Sequence, residues 1–515
     1  MVKDFLLNIF STRDEYIDSL GKSPQIISQI ATGIIAKYNL EKSIGTISGN
    51  DKLSSDLKKL MSDVLCGKTK NIHDGFSGIG DKWGKYSKAF RRSVYLILSS
   101  FHESDLNRKQ KTLDKAVNVL LLEISEKMTT YCNSLYIPTL TLFGLGMILP
   151  LIILSVFPVI SFLGMGIGII SVILLLFTSL LVSFLYSLSI LKKRPIIFSP
   201  NKIVDSDKFL SIDGFLFEPL ILSFVILFLF SIPSIFYLLQ QYGIVLSGWF
   251  GIAVNMINTY SILIGIVISS SVFFYSKCFR IKFIRDEVMK LENEFIHSLY
   301  HLRNFLADGK PLESSIESVS KLMSGSDISL FYSDISNRIR KTSMPVDKVL
   351  DIIKIDSYLI KNTLKMIVDS FENGNKAAIK TTDVVYKYLI GIEETNKLLK
   401  NILDRNLSMM KTTAMFYAPI ICGIVIVIFQ MIVSASYGGL VSFGHSHMDP
   451  PVLRLIVGLY LFCFNFLIVW YTTKIEYGND SIMLNFNMYR SFPVVFGVFL
   501  LTIIIAESIL SGVIL

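Results

Sequence analysis

The sequence predicts an all-α polytopic membrane protein with about seven transmembrane helices and two homologous cytoplasmic helical bundles. Three observations predict it. Hydrophobic residues make up 51% of the chain and charged residues 18%, too apolar a balance for an ordinary soluble domain. Charge is also segregated: residues 1–137 and 277–411 hold 42 of the 50 Lys and Arg, so the rest of the chain is nearly free of charge. Finally, the two charged blocks echo each other. Leu40, Glu41, Ser43 and Ile44 recur at an offset of 272 as Leu312, Glu313, Ser315 and Ile316. At an offset of 270, Ser100, Phe101, Glu123 and Lys127 recur as Ser370, Phe371, Glu393 and Lys397. Each block then meets a proline that opens an apolar stretch, Pro138 in the first and Pro419 in the second.

About 20 apolar residues cross a hydrocarbon core as a helix. Thr139–Leu191 is 53 residues without a charge, enough for two spans that turn near Pro158–Gly164. Further spans are expected at about Phe215–Leu239, Trp249–Ser276, Thr412–Ser434, Leu453–Thr473 and Pro493–Leu515. The chain thus divides into a first bundle (1–137), transmembrane helices one to four (138–276) with a short basic loop at 192–214, a second bundle (277–411), and helices five to seven (412–515). Placing residues 1–137 in the cytoplasm puts Lys192, Lys193, Arg194, Lys202, Lys208, Lys474 and Arg490 inside. Arg454 is then the only basic residue towards the other side, which satisfies the positive-inside rule. The expected location is the cell membrane, with the N-terminus cytoplasmic and the C-terminus outside. The N-terminus lacks the apolar core and cleavage site of a signal peptide, so an internal span is expected to direct insertion.

Within the second block, Leu291, Phe295, Ile296, Leu299, Leu302 and Leu306 follow helical spacing. Asp308-Gly309-Lys310-Pro311 reads as a stop, a turn and a restart into a helix at Leu312–Leu322. Ser343-Met344-Pro345 and Asn373-Gly374-Asn375 punctuate later helices. A last long helix, about Ala377–Lys411, leads towards the membrane as a stiff lever. The net charge of +9 comes from blocks of mixed sign, which favours anionic lipid or an acidic partner over nucleic acid.

On these residues the chain resembles the type II secretion system F family, the membrane platform proteins of type IV pili, type II secretion and archaella. The carriers are Glu292-Asn293-Glu294-Phe295-Ile296, then Asp308-Gly309-Lys310-Pro311-Leu312-Glu313-Ser314-Ser315-Ile316, and later Gly374; Phe295, Gly309, Pro311, Leu312 and Gly374 are the structural positions of the motif. The first block departs from it, with Lys37 opposite Gly309 and Ser104 opposite Gly374. Seven spans resemble the archaeal branch. The resemblance implies a protein without catalytic residues or cofactor, and so no enzyme in its own right, that docks a hexameric secretion ATPase and helps pilin or archaellin subunits leave the bilayer, commonly as a homodimer. A transporter or channel with a duplicated body is the alternative; it should show polar or broken spans meeting at the midplane.

Other candidate chemistry is thin. Gly67-Lys68-Thr69 lacks the leading glycine of a phosphate-binding loop, since Ser62 occupies that position. His297 and His301 share a helix face, and His445 and His447 share an outer loop, but neither pair has a third ligand. The five cysteines have no metal-site or disulfide spacing. Glu507 lies inside the last span, where a carboxylate is costly. Pairing with Arg454, contact with a pilin helix and snorkelling to the headgroups are all open. Lys192, Lys193, Arg194, Lys474 and Tyr477 lie at span ends, either as topology determinants or, by the resemblance, as part of an ATPase socket.

Overall fold

In a computed structural model, the chain is almost wholly helical over its described residues, which contain no strand. These are 19–35, 39–45, 47, 51–69, 71–162, 169–191, 217–241, 249–353, 357–371, 374–437, 450–478 and 480–514. Contacts divide it into two compact units. One holds 1–131, 195–207 and 284–401; the other holds 132–194, 208–283 and 402–515.

The first unit takes residues from both charged blocks. From the N-terminal block come α1 (Ser23–Ile35), α2 (Leu40–Gly45), α3 (Lys52–Leu65), α4 (Ile72–Gly84), α5 (Lys88–Ser100) and most of α6 (Leu106–Ser134). From the later block come the end of a long helix that closes at Ala307, then Leu312–Leu322, Asp327–Thr342, Val346–Ile352, Tyr358–Phe371 and most of Asn375–Thr412. One hydrophobic core joins them, with Phe76, Trp83, Phe90 and Ile97 fully buried from the first block and Phe295, Tyr332, Ile360 and Ile367 from the second. Phe90, Val94 and Ile97 sit 270 positions before Ile360, Leu364 and Ile367, and all six are buried. The helices of α5 and Tyr358–Phe371 therefore turn the same face inward.

The turns follow local chemistry. Gly309 ends its helix at φ +82° and Ser343 ends the next but one at φ +51°, both in the left-handed region. Pro311 sits immediately before Leu312, which is buried. Gly374, at φ +105°, offers its carbonyl to Ala377 and Ala378 and so begins Asn375–Thr412. Gly67 lies at φ +72° just after α3, where Lys68 N and Thr69 N both donate to Asp63 O. Gly67-Lys68-Thr69 therefore ends a helix, whereas a phosphate loop must begin one after a strand.

The second unit carries the apolar helices. Among the described residues, six helical stretches are long and apolar enough to cross a membrane: 107–156, 170–191, 261–307, 407–431, 452–477 and 481–509. This is compatible with a multi-pass membrane protein. Another helix, Phe217–Gln241, has a shorter described apolar stretch, Leu220–Pro233. The helix expected to end near Ser276 runs unbroken from Trp249 to Ala307. No Gly or Pro occurs between Gly265 and Gly309, so the change from apolar to charged residues alters the surroundings without ending the helix.

Candidate functional site

Among the described residues of the second unit, two apolar helices are interrupted by a π-turn. Tyr136–Phe143 passes through a π-turn at Gly144–Ile148 into Leu149–Phe162, and Asn375–Thr412 passes through a π-turn at Thr413–Tyr417 into Ala418–Tyr437. Their first residues, Gly144 and Thr413, lie 269 positions apart, within one residue of the spacing that links Ser100 to Ser370.

Proline supplies the cause. Pro150 and Pro419 each follow the end of a π-turn by two residues. A proline inside a helix has no N–H for the carbonyl four residues back, and its ring presses on that carbonyl. A wider turn relieves the clash. For Pro150 that carbonyl is Gly146 O, and the Tyr460 hydroxyl donates to it in place of the missing N–H. Gly146 also has to be small: a Cβ there would lie 2.5 Å from Ser183 Oγ and 2.7 Å from the Phe464 ring. By position and by backbone the counterpart of Pro419 is thus Pro150, which corrects the pairing with Pro138.

An open cavity of about 330 Å³ lies between the two broken helices. Its walls are apolar and matched. Phe143 faces it with Thr413, Met147 with Tyr417, Ile148 with Ala418 and Leu151 with Ile421, each pair 270 positions apart. Nearby, Thr139 Oγ1 lies 3.3 Å from Tyr471 Oη, and Lys411 Nζ pairs with the Glu476 carboxylate at 2.7 Å.

In the first unit the same spacing links two helix caps. Ser87 and Ser357, 270 apart, accept from Phe90 N and Ile360 N at 3.1 and 3.2 Å, capping their helices. Each hydroxyl also donates to a glutamate, Glu123 and Glu292 respectively. Between α6 and Asn375–Thr412, Lys380 Nζ donates to Asn107 Oδ1 and Lys387 Nζ to Asp114 Oδ2, both at 3.3 Å, while a Leu121 methyl lies 3.0 Å from where a Gly391 Cβ would be. Contacts therefore advance in the same direction along both helices, as in a parallel pair. Burial pulls the Lys387 ammonium down, but the Asp383 and Asp114 carboxylates outweigh it and hold its pKa above the ordinary lysine value.

No protein-family model, curated protein or solved structure matches the chain.

The structure places the remaining sequence candidates as follows. Arg454 Nη2 lies 3.0 Å from Glu507 Oε1 and also donates to Gln430 Oε1, so one guanidinium ties together Ala418–Tyr437, Pro450–Tyr477 and Ser481–Ile514. The Arg454 side chain is 13% exposed and that of Glu507 39%, so the carboxylate keeps one open flank. Lys474 Nζ stands 4.9 Å over the Trp470 ring, and Tyr477 closes its helix before Gly478, at φ +74°. Lys192, Lys193, Arg194, His445 and His447 lie outside the described residues. His297 and His301 belong to no cluster of three potential metal ligands among the described residues. The π-turns and the Ser87/Ser357 caps escaped sequence reasoning, although the offset of 270 links the two serines and an offset of 269 the two prolines.

Proposed function

We propose that this chain is the membrane platform of a type IV pilus-like or archaellum-like assembly machine. It docks a cytoplasmic secretion ATPase and couples that partner's motion to the insertion of pilin or archaellin subunits into a filament. The observation that carries the reading is the repeated entry into the apolar unit: two helices, 269 positions apart at their π-turns, each broken by a proline and each lining the same cavity. A helix leading twice into a broken span gives a partner two matched handles on the apolar helices. The matched caps at Ser87 and Ser357 and the shared core support the duplication. Seven spans, with Phe217–Gln241 as the third, complete the topology, with the N-terminus cytoplasmic and the C-terminus outside. The chain works as a homodimer and hydrolyses no nucleotide itself.

The test deletes the gene, counts surface filaments by electron microscopy and restores them with the wild-type gene. In parallel, the purified chain is titrated with the secretion ATPase encoded beside it. Filaments should vanish on deletion, and the ATPase should bind more weakly as salt rises and when Lys192, Lys193 and Arg194 are reversed to Glu. Undiminished filaments, together with solute flux through the protein in liposomes, would favour the transporter reading instead.

A further inference from the structure

We propose that a lateral groove in the second unit holds one acyl chain of an anionic phospholipid, with Lys277 and Arg280 binding its phosphate-bearing headgroup. The groove encloses about 420 Å³ between Phe217–Gln241, Trp249–Ala307 and Pro450–Tyr477, and its walls are apolar, with Phe224, Leu227, Phe273, Phe274 and Phe466 around Ser270. That volume falls within the usual range of small-ligand sites, about 300–1,000 Å³. A partner helix 30 Å long and about 10 Å across would occupy roughly 2,400 Å³, so the groove suits a chain and not a helix.

Charge identifies the headgroup. From Trp249 to Arg285 there is no Asp or Glu, and the apolar stretch ends in Lys277, Arg280, Lys282 and Arg285. Lys277 Nζ stands 4.2 Å over the ring of Phe273, which itself lines the groove. A cation thus sits at the rim of the apolar slot. Lys277 and Arg280 are exposed, and neither is in an ion pair with a described residue. Tyr275, Phe279 and Phe283 are exposed beside them, an aromatic set of the kind found at headgroup level. Clustered basic residues at the end of a span attract anionic lipid by about fivefold each, so Lys277 and Arg280 together contribute roughly 25-fold. The inference rests on Trp249–Ala307 entering a membrane and is independent of filament assembly.

Native mass spectrometry of the full-length chain in detergent tests it, by titration with phosphatidylglycerol or phosphatidylcholine of identical acyl chains. Wild type should retain phosphatidylglycerol with a preference of roughly 25-fold. The K277Q/R280Q variant should bring the two lipids close to parity, S270W should remove both by filling the groove, and K58Q/K59Q, in the other unit, should change nothing. Raising salt from 50 to 500 mM should collapse the wild-type preference, which keeps the test decisive even if K277Q/R280Q fails to fold. Equal retention of both lipids, a preference that survives K277Q/R280Q or high salt, or unaltered binding in S270W would each overturn the proposal. Displacement by glycerol phosphate alone would overturn the acyl-chain part. A chain that does not insert into bilayers would instead remove the membrane reading on which the proposal rests.

Discussion

Arg454 and Glu507 should not be equivalent targets. Replacing Glu507 with Leu leaves a guanidinium that is 13% exposed, hardly reached by water. Replacing Arg454 with Met leaves a carboxylate that is 39% exposed and keeps part of its hydration, so its loss should be the smaller. Breaking a fully buried pair costs about 3–5 kcal/mol, and the open flank of Glu507 lowers both losses. We expect about 3 kcal/mol for E507L and about 2 kcal/mol for R454M. The double variant R454M/E507L leaves no orphan charge and should lose about 1 kcal/mol.

The assay is a double-mutant cycle on purified protein, read as thermal midpoints at pH 7. The expected order of destabilisation is E507L, then R454M, then the double variant. A double variant as unstable as the sum of the singles would refute the pairing as a source of stability.

Three further outcomes follow from the repeated geometry. Ser87→Ala and Ser357→Ala should each cost about 1 kcal/mol in denaturant titrations and match within about 0.5 kcal/mol, since each removes a side-chain cap at the same point of its block. Lys387→Met should cost about 0.5–1 kcal/mol at pH 7, because the pair is partly exposed. Since the folded-state pKa of Lys387 lies above its unfolded value, that contribution is full below about pH 10.4 and fades only as pH rises through the higher folded value, so the variant and wild type should converge in strong alkali. Deleting Met415 together with Pro419→Ala removes the extra residue of a π-turn and the proline that requires it, and leaves both flanks in register, so it should be tolerated; deleting Lys400 turns the rest of its helix by about 100° and should abolish folded protein, as size-exclusion profiles of the two variants will report.

The helices of the apolar unit were legible because their signal is length: Thr139–Leu191 has no charge to place in water, and 407–431 and 452–477 emerged close to the expected Thr412–Ser434 and Leu453–Thr473, whereas the helix expected to start at Pro493 already starts at Ser481. The turns at Gly309, Ser343 and Gly374 were legible because a left-handed residue or a following proline leaves few alternatives. The end of Trp249–Ala307 was not. Hydropathy falls at Lys277, but a helix ends where a cap or a breaker ends it, and none comes before Gly309. The Arg454–Glu507 contact could be framed from the cost of two charges in apolar helices, whereas Gln430 could not, because a neutral amide carries no comparable penalty. The π-turns were hidden for another reason: in an all-apolar stretch no periodicity reveals one extra residue.

The residues around those π-turns are poorly matched, and that is itself informative. Phe143 stands opposite Thr413, and Gly144-Leu145-Gly146-Met147-Ile148 shares almost nothing with Thr413-Ala414-Met415-Phe416-Tyr417. What the two segments share is a proline two residues on and a backbone widened to meet it. Pro150 and Pro419 dictate that widening through a missing N–H and a steric clash, both independent of the neighbouring side chains. Two such segments can therefore differ in almost every side chain and keep the break, provided the proline stays. A neighbouring helix can satisfy the freed carbonyl, as Tyr460 does for Gly146 O. The backbone defect is the element under constraint, and the apolar side chains around it are free to vary with what fills the cavity.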